Sequence, residues 1–381
     1  MDDRPTPQPV VAVACKPPVV PHRDGWKPAA GGLAPIVRAA LADRGGTWVS
    51  WDGGCPAPPS QLPGVHFGVR TFPLRNRDAQ AFYGGYANRT LWPLLHELDG
   101  SATFESGWWQ PYHDVNTTFA SAAAAAIADV KQQVWVHDYH LLLVPSALRD
   151  AGTTNRIAFF LHTPFPAPSV FARVPQRSEL LRGLAGADLL GFQTAADRER
   201  FAGAWSEFAS GDLPATTVTP ASIDVEMLTT AARDERVARG AHELRKRFFG
   251  DRIVVLGVER LDYTKGLKRR LRAIERLLER RSDLRRRLMY VQLATPSRER
   301  VPEYRDLRAD IEREVGRING RFTSPGHEVP IRYLRRQVST RQLLAYYLAA
   351  DVAMVTPLRD GMNLVAKEFV TVQAAAEGAG S

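Results

Sequence analysis

Cysteine is scarce. The chain of 381 residues has only Cys15 and Cys55. Two cysteines allow one disulfide at most and do not make a metal site, so a reducing, cytoplasmic setting is expected. No apolar run approaches the ~20 residues of a membrane-spanning helix. The run VVAVAC at 10–15 follows Asp2, Asp3 and a lone Arg4 and is too short for a signal peptide. Heptads and short-period repeats are absent. There is no Gly-x-Ser-x-Gly elbow, which argues against a serine hydrolase. There is no Asp-x-Asp pair of the kind that holds Mg²⁺ between carboxylates and phosphates. His137 and His140 are three apart, but they flank a strand end rather than share a helix face, and no third ligand is evident; no metal is expected.

Acidic residues are also in deficit, 41 against 50 Lys and Arg, for a net charge of +9. The densest basic runs, 268–287 and 298–313, interleave Glu and Asp at helical spacing and read as solvated helix faces. Functionally, the excess fits a small anionic substrate such as a sugar phosphate or nucleotide. No nucleic-acid recognition motif accompanies it.

What is present is an α/β pattern with 44% apolar residues, long enough for two domains. Residues 1–9 read as a loose tail, 10–225 as a first domain and 226–381 as a second. Strands are expected at 10–14, 47–51, 134–136, 157–161, 188–192 and, more weakly, 213–218. In the second domain they fall at 253–257, 288–294, 331–334 and 352–355. Residues 16–30 read as a proline-bearing loop, and helices are expected over 31–42, 116–130, 141–149, 195–208, 226–249, 265–279, 303–319 and from 364. Such alternation implies parallel sheets covered on both faces. Ligands of such sheets bind outside the carboxyl ends of the strands, and five strand ends carry polar residues: Asp138, His162, Arg260 with Lys265, Arg298, and 360–368. The expected site lies between the two domains. Two guanidiniums and an ammonium are suited to a diphosphate.

The chain is organised around 356–368, TPLRDGMNLVAKE. An apolar strand leads in, Gly361 and Asn363 suit a sharp turn, and a helix begins near Leu364. The amides of Met362, Asn363 and Leu364 would then face outward from a helix N-terminus, where negative charge is favoured. Glu368, one turn further, could take both hydroxyls of a ribose. Gly31-Gly32 before the first helix is a weak phosphate-binding signal. The aromatic segment 82–96 fits either core packing or a sugar site.

Together, His137-Asp138-Tyr139-His140, 160–166 (FLHTPFP), Gly191-Phe192-Gln193-Thr194, 258–267 (VERLDYTKGL), Gly316-Arg317-Ile318-Asn319-Gly320 and 356–368 resemble the trehalose-6-phosphate synthase family over about residues 11–373. The resemblance implies two Rossmann-like domains facing a central cleft, the GT-B fold. It implies retaining transfer of glucose from UDP-glucose or GDP-glucose to glucose 6-phosphate, giving α,α-trehalose 6-phosphate, with no metal or other cofactor. Catalytic roles fall on Asp138, His162, Arg260, Lys265 and Asp360. Donor contacts fall on Gly31, Gly32, Arg260, Lys265, Met362, Asn363, Leu364 and Glu368. Acceptor contacts fall on Lys16, Tyr83, Trp92, Asp138 and Arg298. Partners are these small molecules, not nucleic acid or membrane, and homo-oligomers are compatible with it.

Four departures stand out. Ala14-Cys15-Lys16 replaces the family's Ser-Asn-Arg, so the acceptor phosphate would meet an ammonium in place of a guanidinium fork. Pro220-Ala221-Ser222-Ile223 lacks the glycine of the family's Pro-Ile-Gly-Ile. The segment 201–218 is short, and the chain stops at Ser381 before further family elements, so an incomplete second domain, exposed sheet edge and reduced stability are expected. Other readings are a weak or inactive homologue acting as a sugar-phosphate or nucleotide sensor or partner subunit, and a same-fold enzyme with another acceptor.

Overall fold

The computed structural model describes residues 8–23, 25–29, 33–62, 65–298, 301–324 and 329–377. It divides after Ala221 into two compact units. The first has strands β1 (Val10–Val13), β2 (Val19–His22), β3 (Gly25–Pro28), β4 (Gly46–Trp51), β5 (Gly68–Phe72), β6 (Gln133–His137), β7 (Ile157–Phe160), β8 (Leu189–Phe192) and β9 (Thr216–Val218). Seven of these form one sheet in the order β5-β4-β1-β6-β7-β8-β9, and every pairing in it is parallel. The four residues of β1 are all buried, as a continuous apolar run in a doubly covered sheet should be. On one face Ala12, Val37, Leu41, Trp48 and Phe67 close a core against helix Leu33–Arg44.

Val19–His22 and Gly25–Pro28 are not part of the loop that the prolines of 16–30 suggest. β2 and β3 pair antiparallel, Val19 with Pro28 and His22 with Gly25. A two-stranded ribbon has two outer edges that need no N–H, so prolines are tolerated there, while Val19 and Trp26 pack on the core. β5 goes beyond the expected strands. The helix expected over 116–130 runs instead over Trp109–Ala124. Beyond it the Lys131 amide bonds Asp129 Oδ1 at 2.7 Å and the Ala128 amide bonds Gln132 Oε1 at 2.8 Å, side-chain bonds that serve turns rather than helix. The helix expected from 141 starts at Val144, after a short 3₁₀ turn at Tyr139–Leu141.

The second unit has β10 (Ile253–Arg260), β11 (Leu288–Thr295), β12 (Ile331–Leu334) and β13 (Val352–Ala353), in the order β12-β11-β10-β13. All pairs are parallel. Period-two alternation sends Val254, Leu256, Met289 and Val291 to one face and Tyr290 to the other, each face with its own apolar cluster. The helix expected over 226–249 is broken into Val225–Ala232, Glu235–Leu244 and a π-helical turn, Arg245–Phe249. Asp234 stands between the first two in extended conformation, and its carboxylate takes the Arg236 amide at 2.8 Å. Such a cap starts a helix and cannot lie inside one. Val352 on β13 and Val370 on the last helix are exposed. No helix among the described residues is long and apolar enough to cross a membrane. Cys15 is buried, Cys55 is exposed, and neither is bridged.

Candidate functional site

In the first sheet the strand order reverses between β1 and β6. Ligands of open parallel sheets bind at that reversal, outside the carboxyl ends. Lys16 follows β1 there. Its exposed ammonium lies 4.2 Å from the centroid of the Tyr83 ring, a cation–π contact. Tyr83 stacks on His140 at 5.5 Å and 8°. Trp92 is buried against Tyr139, 5.5 Å between centroids. Tyr83 belongs to a π-helical stretch, Gln80–Leu91, that leads into helix Trp92–Leu95. Within the aromatic segment Trp92 and Phe82 are core, while Tyr83 remains partly accessible.

Asp138 follows β6 with φ 75° and ψ 166°, a region essentially reserved for glycine. Its amide donates to Phe160 O at 2.9 Å, and its Oδ1 accepts from the His162 amide at 3.3 Å. The strained backbone thus turns the carboxylate toward the end of the neighbouring strand. His137 Nδ1 and His162 Nε2 are 3.2 Å apart. Desolvation lowers His162 to about 3, and burial together with His162 holds His137 well below its ordinary value. Both imidazoles are neutral at pH 7, so one donates and the other accepts. His137 faces His162 while His140 faces Tyr83, so the two do not converge. Among the described residues no group of three or more His, Cys, Asp or Glu could hold a metal ion.

The second sheet reverses between β10 and β13. Past β10 the chain runs through Asp262 and a 3₁₀ turn, Tyr263–Lys265, into Gly266. Past β13 it runs through 356–363 into helix Leu364–Glu377. The two segments meet across the reversal. The Leu358 amide donates to Thr264 O at 2.7 Å, and Lys265 Nζ pairs with Asp360 Oδ2 at 2.7 Å, both side chains mostly buried. Gly266 has φ +71°, and a Cβ there would lie 2.6 Å from Thr356 O. Handedness and space both require glycine.

Asp360 also accepts from the Gly361 amide at 3.1 Å and from Asn363 Nδ2 at 3.3 Å. Asn363 Oδ1 takes the Ala366 amide at 3.1 Å, capping the last helix. That leaves a helix N-terminus beside an ammonium, an arrangement suited to an anion. Glu368 Oε2 accepts from Tyr347 OH at 2.7 Å, which fixes the carboxylate one turn into the helix. Arg260 is the last residue of β10 and partly buried.

Arg298 is turned inward, at φ 47°. Its Nη1 meets Asp262 Oδ2 at 2.7 Å, with side-chain exposures of 5% and 0%, and also donates to Tyr304 OH. Asp262 further accepts from the Thr264 amide and hydroxyl at 3.0 and 2.9 Å. Burial alone would raise Asp262, but Arg298, Arg260, the Thr264 amide and Lys265 outweigh it and hold the carboxyl at about 2. Gly31 and Gly32 lie outside the described residues.

Within each unit the expected residues gather at the switch point: Lys16, Tyr83, Asp138 and His162 in the first, and Arg260, Lys265 and 360–364 in the second. Asp262, Glu259 and Arg270 join the site through contacts their sequence positions do not signal. Arg270 in particular is not part of a solvated face, as the run 268–287 suggested; its side chain is fully buried. Its spacing from Leu267, Leu271, Ile274 and Leu278 already placed it on the inward stripe.

The family model for glycosyltransferase family 20 matches residues 20–379. The chain belongs to glycosyltransferase family 20. Family membership makes it a glycosyltransferase, and its two parallel-sheet units are those of the GT-B fold. The trehalose-6-phosphate synthase of Mycolicibacterium smegmatis is 41% identical over 376 residues, covering 93% of this chain and 74% of that protein. An α,α-trehalose-phosphate synthase (UDP-forming) from Burkholderia xenovorans, solved with glucose-6-phosphate, superposes with TM-score 0.87 at 35% identity, covering 96% of this chain and 82% of that one. The E. coli protein bound with UDP-2-fluoro glucose gives 0.84 at 34% identity, with the same coverage.

Proposed function

We propose that this family 20 enzyme transfers glucose, with retention, from UDP-glucose or GDP-glucose to glucose 6-phosphate, forming α,α-trehalose 6-phosphate. The observation that carries the reading is the Lys265–Asp360 pair spanning the switch point of the second sheet beside a capped helix N-terminus. An ammonium has three donors, so Lys265 can face Asp360 and a phosphate oxygen together. In this reading residues 226–381 take the nucleotide sugar. Arg260, Lys265 and the Met362, Asn363 and Leu364 amides bind the diphosphate, with Gly31 and Gly32 contributing. Glu368 takes the ribose and Asp360 the glucose hydroxyls.

Residues 10–225 take the acceptor through Lys16, Tyr83 and Asp138, with the buried Trp92 supporting them from the core and Arg298 as a further phosphate ligand. The neutral His162 meets the transferred sugar. No protein nucleophile is assigned. Acceptor hydroxyl and leaving phosphate share one face of the sugar, and a phosphate oxygen takes the proton. The protein supplies orientation and charge stabilisation as negative charge grows on the nucleoside diphosphate. The names of relatives solved with glucose-6-phosphate and with a UDP-fluoroglucose support these substrate classes.

The test is nucleoside diphosphate release by the purified chain, with UDP-glucose and GDP-glucose supplied separately, with and without glucose 6-phosphate. Acceptor-dependent release with trehalose 6-phosphate as product is expected. Saturable binding without turnover would replace this reading with a sensor, and turnover with another sugar phosphate alone would revise the acceptor.

A further inference from the structure

One buried arginine near this site has no place in the chemistry above. Arg270 is the fourth residue of helix Leu267–Arg280, and its side chain is inaccessible to solvent. Its guanidinium forks onto the Glu259 carboxylate, with Nη2 to Oε2 at 3.0 Å and Nη1 to Oε1. Nη1 also donates to Tyr290 OH at 3.3 Å and to Gln292 Oε1 at 3.1 Å. Glu259, Tyr290 and Gln292 all lie on β10 and β11, so these bonds anchor the guanidinium to the sheet. Two further bonds leave the sheet: Nε donates to Thr356 Oγ1 at 3.0 Å, and Nη2 to Lys265 O at 3.3 Å. Thr356 opens the loop that carries Asp360, and Lys265 closes the turn that faces it. A Cβ on Gly257 would lie 2.7 Å from Nη1, so the strand itself is cut back to admit the fork.

A buried ion pair is a poor source of stability, because desolvation offsets most of its Coulomb energy; apolar residues of the same volume serve as well or better. What a planar fork adds is orientation. We infer that Arg270 is a positioning residue that clamps the 262–266 turn and the 356–363 loop to one sheet, and so sets the spacing at which Lys265 and the helix N-terminal amides meet a nucleoside diphosphate. The inference deepens the donor-site reading and rests on it. It assigns Thr356 and Gly257 to the same device.

The experiment uses UDP and GDP as probes, by calorimetry, alongside donor and acceptor KM and thermal melting. Thr356→Val removes one hydroxyl at nearly constant volume. It is expected to weaken nucleotide binding and raise donor KM about five- to tenfold, the scale of one typical hydrogen bond. Acceptor KM should stay near that of the unmodified chain, and the melting temperature should fall by only a few degrees as the buried Nε loses its acceptor. Arg270→Lys keeps a cation without the fork and should act in the same direction and more strongly. In that background Thr356→Val should add nothing, because residues acting through one contact are non-additive. Unchanged nucleotide affinity in folded Thr356→Val overturns the inference while leaving the donor site in place, and so do fully multiplicative effects of the two substitutions. If Arg270→Lys does not fold, the Thr356→Val result decides alone. If the unmodified chain binds neither nucleotide, the donor-site reading falls, and the inference with it.

Discussion

At the switch point of the first sheet, titratable rings are held neutral and the exposed cation rests on an aromatic face. His137 and His162 face each other uncharged, and Lys16 lies over Tyr83. At the switch point of the second sheet, charges are held in pairs: Lys265 with Asp360, Arg298 with Asp262, Arg270 with Glu259. The same parallel topology therefore frames two kinds of surface. An aromatic one with neutral imidazoles suits the face of a sugar ring. A charged one, with each group oriented by a partner before any ligand arrives, suits a leaving group that gains negative charge.

That contrast can be broken from either side. The largest effect is expected from Lys265→Ala. It removes the ammonium and leaves Asp360 mostly buried without its partner, and donor kcat/KM should fall about 10²–10³-fold, as when one preorganised donor to a developing anion is lost. Steady-state kinetics with varied nucleotide sugar reads it.

Acid separates the two surfaces next. Asp262 titrates at about 2 in the fold and at roughly 3.9 when unfolded. Its stabilisation is complete above pH ~4 and is lost as pH falls toward 2. His162 is also depressed, to about 3, against roughly 6.5 unfolded. Below pH ~6.5 the unfolded chain gains that proton first, so stability declines from there toward pH 3. Arg298→Met should move the acid unfolding midpoint to higher pH by freeing Asp262 of its cation. His162→Asn should flatten the loss between pH 6.5 and 5. Melts across this range measure both.

Gly266→Ala attacks the docking of the two loops. With φ +71° and Thr356 O in the way of a Cβ, it should destabilise by about 1–3 kcal/mol, read from urea unfolding. The smallest effect is at Lys16. Lys16→Ala should raise acceptor KM about two- to fivefold, the scale of one exposed ion pair, and leave donor KM unchanged. Lys16→Arg should lower acceptor KM by restoring a fork.

Much of this organisation was legible in the chain. The strands that carry Asp138, His162, Arg260 and the 356–368 loop are bounded by apolar runs, and their polar residues fall at carboxyl ends because βα alternation forces parallel sheets. Relations between distant residues were not legible. Asp138 looks like an ordinary strand-end aspartate, and only the fold shows it in a conformation usual for glycine. Arg270 sits in a run of charges whose average is solvated, and one member points inward because the helix's apolar stripe takes it there. The hairpin at Val19–Pro28 was hidden by its prolines, which a two-stranded ribbon tolerates and a sheet interior would not. The pairing of Arg298 with Asp262, thirty-six positions back, also comes only from the fold.

The proposed division between a donor surface of paired charges on the second unit and an aromatic acceptor surface bearing Lys16 on the first is tested most directly by titrating three folded proteins, the unmodified chain, Lys265→Ala and Lys16→Ala, separately with UDP and with glucose 6-phosphate. The account predicts a crossed result: Lys265→Ala loses UDP and keeps glucose 6-phosphate, while Lys16→Ala keeps UDP and weakens glucose 6-phosphate. Equal losses of both ligands in either variant would contradict it.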